Sequence, residues 1–373
     1  MNKPAEFRIA VLPGDGIGTE VIDPCLEVLD AVSAMSGGFR LVYDRVEAGA
    51  EYYEKTGQSF EEGGLERCGE ADAILLGAMG LPDIRYEDGT EISPQLDLRE
   101  RYGLYAGERP VIALPGLPLP LADERAARLN FIMVRESTEG LFAERGNARR
   151  TGDSEIRDTL VITRKTSESL FDHAFRLARR RKARGLPGRV TCVDKANVLE
   201  SFAFFREIFL EKAAEYPDIE ANCCYVDAAG LTLVKAPWRF DVIVTENMFG
   251  DILSDIGAAL MGGMGLAPSA DIGDDHAVFQ PCHGSAPDII GQGKANPVAT
   301  FLSAVMMLDW LGERHGNAAC NRASRILYEA IYGIFANGEV MPWELGGTAG
   351  TREITDAVLA ALAVATAAEA ACR

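Results

Sequence analysis

Two aspartates four residues apart, Asp251 and Asp255, are the first residues in this chain whose type and spacing suggest chemistry. They end the run Val244-Thr245-Glu246-Asn247-Met248-Phe249-Gly250-Asp251-Ile252-Leu253-Ser254-Asp255. If the stretch after Gly250 is helical, both carboxylates share one face, one turn apart. Converging oxygen ligands favour a hard divalent cation, Mg²⁺ or Mn²⁺. The preceding Phe240-Asp241-Val242-Ile243-Val244 is β-branched and apolar like a buried strand. The pair would then stand just beyond a strand, where open α/β sheets place their ligands. Taken alone, such a pair is more often a solvated acidic helix face, and it is the rest of the sequence that reverses this order.

Leu12-Pro13-Gly14-Asp15-Gly16-Ile17-Gly18 opens the chain, and Val193-Asp194-Lys195-Ala196-Asn197-Val198-Leu199-Glu200 lies in its middle. His283-Gly284-Ser285-Ala286-Pro287-Asp288 follows, with Ala295-Asn296-Pro297 soon after. Together with the aspartate run, these strings resemble, in order, the β-decarboxylating dehydrogenases, the family of 3-isopropylmalate, isocitrate, homoisocitrate and tartrate dehydrogenases. The resemblance covers nearly the whole chain. Its glycine turn does not fit G-x-G-x-x-G, so a Rossmann fingerprint is absent. As a bare turn it would be structural, whereas the resemblance sets it beside NAD with Ile17 in contact. The same resemblance implies that His283, Gly284, Ser285, Ala286, Asp288 and Asn296 complete the cofactor site, with His283 lining the adenine pocket. An acid at the position of Asp288 accepts hydrogen bonds from ribose hydroxyls and repels a 2′-phosphate, so NAD is expected rather than NADP. Outside this context His283 would be a structural histidine and Asp288 a helix cap.

The implied substrate is a 2-hydroxy acid with a 3-carboxylate, a di- or tricarboxylate. Guanidinium groups hold such anions in a planar, bidentate way that lysine cannot match. Arg99, Arg109 and Arg135 fall where the family places its carboxylate clamp. Lys195 matches the base that takes the hydroxyl proton, directly or through water, and Asp227 matches the third metal carboxylate. The resemblance supplies both from the partner subunit of a homodimer with shared active sites. One position departs from the pattern. The string Val134-Arg135-Glu136-Ser137-Thr138-Glu139-Gly140-Leu141-Phe142 normally ends in a tyrosine, the proton donor after decarboxylation. Phe142 cannot donate that proton. In the loop before Arg99, isopropylmalate enzymes read Glu-Thr-Gly-Leu-Leu-x-Leu-Arg, and this chain reads Ile92-Ser93-Pro94-Gln95-Leu96-Asp97-Leu98-Arg99. Ser93 and Gln95 make a more polar pocket, suited to a substrate of tartrate, malate, isocitrate or homoisocitrate type. The competing class is a non-catalytic ligand-binding or regulatory paralogue, for which Phe142 is the main support and the retained Lys195, Asp227, Asp251 and Asp255 the main objection.

The elements that must position these residues are visible as an alternation. Strand-like runs at 9–12, 73–76, 131–134, 190–193 and 242–245 each precede a turn or a helix. That rhythm predicts an α/β fold with a mostly parallel core. The resemblance refines it to two α/β domains sharing a large mixed sheet, the isocitrate/isopropylmalate dehydrogenase-like fold. A first domain would take residues 1–104 and 262–373, with most of the NAD site. A central domain, 105–261, would carry the metal site and the dimer interface. Pro24 should interrupt the first helix unless Asp23 caps a restart there. The proline-rich segment 114–120 should be a surface connection.

Composition bounds the rest. A chain of 373 residues has room for two substantial cores. A formal net charge of −19 disfavours nucleic acid and anionic membranes. The basic run 176–184 is then most simply a solvated helix face, with phosphate binding a minor possibility. Eight cysteines show no C-x-x-C spacing, which argues against zinc and against a disulfide framework. With no signal-like start and no long apolar span, the expected location is the cytoplasm.

Overall fold

The computed structural model describes residues 4–371. In chain order its strands are β1 Ala5–Gly14, β2 Phe39–Arg45, β3 Ala73–Ala78, β4 Ala106–Ile112, β5 Asn130–Glu136, β6 Arg149–Thr151, β7 Glu155–Arg157, β8 Arg189–Asp194, β9 Glu220–Tyr225, β10 Val242–Thr245, β11 Pro268–Ile272 and β12 Ala277–Pro281. Strands β6 and β7 form a separate hairpin, and the other ten make one sheet in the order β2-β1-β3-β12-β11-β4-β5-β10-β8-β9. Pairing is parallel on both flanks and antiparallel from β12 through β11 and β4 to β5. The fold is therefore the mixed α/β architecture expected. The flanking strands β3 and β10 are buried along their whole length, because helices cover both faces of a parallel sheet.

The strands contributed by the chain ends occupy one half of the sheet and those of the middle segment the other. One cluster of buried side chains, around Phe171, Phe175, Phe205 and Phe209, comes entirely from the middle segment. Another, around Leu12, Leu76 and Leu98, comes from the residues before it, with Val278 from β12. The largest cluster crosses between the halves, joining Phe131 and Ile243 to Phe279, Phe301 and Leu327.

Three local expectations are corrected. Helix Gly18–Ser36 runs through Pro24 without a restart. Its inner face buries Val21, Ile22, Cys25, Val28, Leu29 and Val32, and that burial outweighs a proline cost of about 3 kcal/mol. The basic run is not uniformly solvated either. Arg181, in helix Arg164–Ala183, is only 6% exposed and donates to Asp241 at 2.7 Å and to the Asn130 carbonyl at 2.7 Å. In the proline-rich connection, Leu114 and Leu117 are buried although the backbone there is irregular.

Among the described residues no helix is long and apolar enough to cross a membrane. Cys25, Cys68, Cys192, Cys223, Cys224, Cys282 and Cys320 are free thiols, and Cys372 lies outside the described residues.

Candidate active site

Helix Asn247–Met261 follows β10 directly, so Asp251 and Asp255 do lie one turn apart on a helix beyond a strand. The Glu246 side chain caps its start by accepting from the Phe249 amide, and Gly262 ends it in the left-handed region. Gly250 has a steric reason to be glycine. A Cβ there would stand 2.6 Å from Cγ and 2.7 Å from Cβ of Arg135, so only a bare backbone lets this helix lie against that arginine.

One cavity of about 330 Å³ gathers Asp251 and Asp255 with Arg99, Arg109, Arg135, Ser93, Gln95, Phe142, His283 and Gly284. The three arginines arrive from different elements: Arg99 from helix Pro94–Tyr102, Arg109 from β4 and Arg135 from β5. All three are buried, and each needs compensation there. Much of it comes from Asp271 on β11, which is 1% exposed and was not foreseen from the sequence. Arg99 Nε donates to Asp271 Oδ2 at 3.0 Å and Arg109 Nη2 to Oδ1 at 3.1 Å. Gln280 Nε2 on β12 donates to Oδ2 at 3.0 Å. Arg135 donates from Nε and Nη2 to Asn247 Oδ1 at 3.0 and 2.7 Å, and pairs with Asp251.

These contacts leave a readable electrostatic pattern. Burial would raise the Asp271 carboxyl, but Arg109, Arg99 and Arg135 together outweigh it and hold the group at about 2. Burial, reinforced by Arg99, pushes Arg135 down to about 10. Burial and then the neighbouring Asp251 raise Asp255. The cavity thus has a cationic wall that favours carboxylates and a crowded acidic pair that a cation would relieve.

The Asp271 network has a pH signature. Its folded value lies below its ordinary 3.8, so its contribution to stability is complete above that value. It should be lost as pH falls from about 4 towards about 2. Urea midpoints across this range should therefore drop less steeply in Asp271→Asn than in the parent protein. Equal slopes would remove Asp271 from the acid sensitivity.

The glycine turn and the 283–288 loop are held together beside this cavity. Asp15, fully buried, accepts from the backbone amides of Ala50, Glu51 and Gly80 at 2.9, 2.8 and 2.6 Å. The Ile17 amide donates to the Ser285 carbonyl at 3.0 Å, and the Ile17 side chain packs with Val21 and Ala295 against Ala286 and Ile289. A Cβ on Gly16 would meet the Ser285 carbonyl oxygen at 2.2 Å, so the turn requires glycine for this approach. Ala286 alone among the described non-glycine residues has positive φ, 39°. His283 Nδ1 lies 3.0 Å from the Gly284 carbonyl, which makes it the protonated nitrogen. Nε2 is then a buried acceptor without a partner, and burial lowers the pKa of the ring. Asn296 Nδ2 donates to Glu344 Oε1 at 2.7 Å, while its Oδ1 accepts from the Val298 amide. Asp288 is exposed on a single 3-10 turn, Pro287–Ile289.

Lys195 and Asp227 are brought together with each other but not with this cavity. Lys195 Nζ stands 3.0 Å from Asp227 Oδ1, and the Asp227 side chain is 70% exposed. The Lys195 hydrogen bond lowers the Asp227 carboxyl. Among the described residues of one chain, no three His, Cys, Asp or Glu side chains form a group that could hold a metal ion.

Asp271, Asp15, Gln280 and Asn247 were missed by the sequence reading. Only an acid inside an otherwise strand-like run could have flagged Asp271, and Pro268 and Ser269 hide that run.

A site with buried arginines facing an acidic pair across one cavity is that of an enzyme acting on small carboxylic acids. The comparisons give the family. The isocitrate/isopropylmalate dehydrogenase model matches residues 8–358, and the chain belongs to that family of oxidoreductases. It is 42% identical over 352 residues to the 3-isopropylmalate/3-methylmalate dehydrogenase of Methanocaldococcus jannaschii, covering 94% of this chain and 97% of that protein. It is 40% identical over 359 residues to the homoisocitrate dehydrogenase of the same organism, covering 95% and 97%. The crystal structure of isocitrate dehydrogenase from Methylococcus capsulatus superposes with a TM-score of 0.82 at 35% identity, covering 95% of this chain and 99% of that one.

Proposed function

We propose that this protein is an NAD- and divalent-metal-dependent dehydrogenase that oxidises, with decarboxylation, a 2-hydroxy acid bearing a 3-carboxylate. The observation that carries the reading is the meeting of Arg99, Arg109, Arg135, Asp251 and Asp255 in one cavity. Relatives named for isopropylmalate and homoisocitrate support the reaction class.

Both implied groups suit the residues present. The acidic pair offers hard oxygen donors, and Asp255, raised by burial and then by the adjacent Asp251, would be relieved by a cation. The unpartnered His283 Nε2 suits an N–H donor such as an adenine amino group, and the exposed Asp288 suits ribose hydroxyls. When bound, the metal supplies Lewis-acid polarisation of the hydroxyl and the later carbonyl, and the nicotinamide accepts a hydride. The arginines grip and orient the two carboxylates, aligning C2 and placing the 3-carboxylate to leave as carbon dioxide. Asp271 keeps Arg99 and Arg109 in place. The partner subunit's Lys195 removes the hydroxyl proton, and the partner subunit's Asp227 completes the metal ligands.

A homodimer with shared sites accounts for two features at once. Lys195 and Asp227 stand away from their own cavity, and the surface near them exposes Val198, Leu199, Leu231, Val234 and Ile252. Exposed apolar side chains on neighbouring elements of the middle segment are the mark of an interaction surface. The same reading divides the chain into 1–104 with 262–373 and a central 105–261, in keeping with how strands from the ends and the middle segregate in the sheet.

The cofactor should be NAD. An NAD to NADP ratio of kcat/KM above one tests Asp288, and Asp288→Asn should narrow it; preference for NADP would end the repulsion argument. The substrate should be polar at C3. Gln95 Oε1 is buried without a partner, and an isopropyl group against it leaves that acceptor unsatisfied, whereas a hydroxyl can pair with it. Turnover of 3-isopropylmalate, D-malate, tartrate, isocitrate and homoisocitrate with NAD and Mn²⁺ checks this, and a wide win for isopropylmalate would overturn it. Lack of turnover on the entire panel would favour the ligand-binding paralogue that Phe142 suggests.

A further inference from the structure

The central antiparallel strands have a second cavity on their other face. Period-two alternation sends Arg109, Asp271 and Arg135 to the active side and Glu108, Ala270 and Ile132 to the back. The back cavity measures about 640 Å³ and has an apolar lining drawn from Ile112, Ile132, Ile272, Phe279, Trp310 and Tyr328. That size is in the range of small-molecule sites, roughly 300–1,000 Å³. Its rim carries three arginines. Arg180 and Arg184 come from the end of helix Arg164–Ala183, and Arg325 comes from helix Ala318–Ala336.

The rim charges are loosely committed. Arg180 reaches Glu313 at 3.6 Å and Arg184 reaches Asp309 at 3.5 Å, both pairs well exposed to solvent. Exposed pairs of this kind hold their side chains only weakly. Arg325, exposed at the mouth, has no ion pair or hydrogen bond among the described residues. Apolar walls beneath one unpaired guanidinium, Arg325, and two weakly paired ones favour one kind of guest.

We propose that this cavity is a second ligand site that binds an amphipathic anion, a carboxylate or sulfonate carried on an apolar body. The body lies on Trp310, Phe279 and the strand isoleucines, and the head is held at Arg184 and Arg325. The site is separate from the active cavity and shares no lining residue with it.

Anilinonaphthalene sulfonate, an apolar ring system with one anionic head, is the probe. Its fluorescence on titration with the intact enzyme, with and without saturating NAD and Mn²⁺, gives the affinity. Arg325→Glu should weaken binding about tenfold, the loss expected for replacing one charge-assisted contact of about 1.5 kcal/mol. Arg325→Lys, which keeps the charge, should stay within a few-fold of the parent. Both changes are on an exposed side chain, and unchanged NADH-forming activity verifies that the fold is intact. Equal probe affinity in Arg325→Glu and the parent, or displacement of the probe by NAD, would overturn the proposal.

Discussion

Asp251→Asn should lower metal-supported turnover about 10³-fold, which corresponds to the several kcal/mol a Lewis acid contributes to such a step. The carboxylate lines the cavity one helical turn from that of Asp255. An amide keeps the shape but removes a hard anionic donor, and in the proposed site of three carboxylates the cation would lose a third of its charge compensation. A structural explanation must be separated, because Asp251 also pairs with the buried Arg135. Asp255→Asn provides the control, since Asp255 lines the same cavity and, among the described residues, feels Arg135 and Arg109 only at longer range. Both variants should show weakened Mn²⁺ binding by electron paramagnetic resonance, and the parent should lose activity in EDTA and recover it with added Mn²⁺. Full activity of the parent in EDTA would remove the metal from the reaction.

The parts of this fold that the sequence disclosed, and those it hid, divide along a physical line. Runs such as 73–76 and 242–245 are legible because parallel strands covered on both faces must be apolar throughout. The central strands β4 and β11 are not legible. Within seven residues β4 carries Gly107, Glu108, Arg109 and Pro110, and β11 begins Pro268-Ser269 and contains Asp271. Glycine, proline and charge all argue against a strand. The β4–β11 ladder itself covers only three pairs and ends at Ala270 and Glu108, so neither proline has to donate across it. The charges are in turn satisfied by tertiary partners, Arg109 by Asp271 and Glu108 by His173 at 2.7 Å. The strands that carry the site are thus the ones whose composition hides them.

The site was legible to the extent that its residues lie in continuous strings. The spacing of Asp251 and Asp255 suggests a shared helix face, and the surrounding strings, the 283–288 run among them, turn that suggestion into a site. Asp271 has no such string, because its role arises from tertiary neighbours 162 and 172 residues away, one on the adjacent strand and one on a helix. Lys195 and Asp227 were legible by resemblance alone. Nothing in a single chain brings them to the cavity, which is why a partner subunit enters the reading.

Phe142→Tyr should speed decarboxylating turnover by up to about 10²–10⁴-fold, the usual contribution of a positioned general acid. Phe142 lines the active cavity, and the Arg135 guanidinium carbon lies 5.4 Å from its ring centroid. The ring therefore keeps the packing and cation–π contact that a tyrosine would make, while lacking a hydroxyl to protonate C3. Where the added hydroxyl reaches the cavity that Phe142 lines, Arg135 beside it would favour the phenolate left after proton donation. Hydride transfer precedes this protonation, so a single-turnover burst of NADH should be unchanged while carbon dioxide release and steady-state turnover rise. If both phases stay the same with substrate affinity preserved, C3 receives its proton from water or another side chain, or the natural reaction ends before that step. If NADH formation itself accelerates, the ring acts on substrate alignment, and the gain belongs to the Arg135 clamp rather than to a new acid.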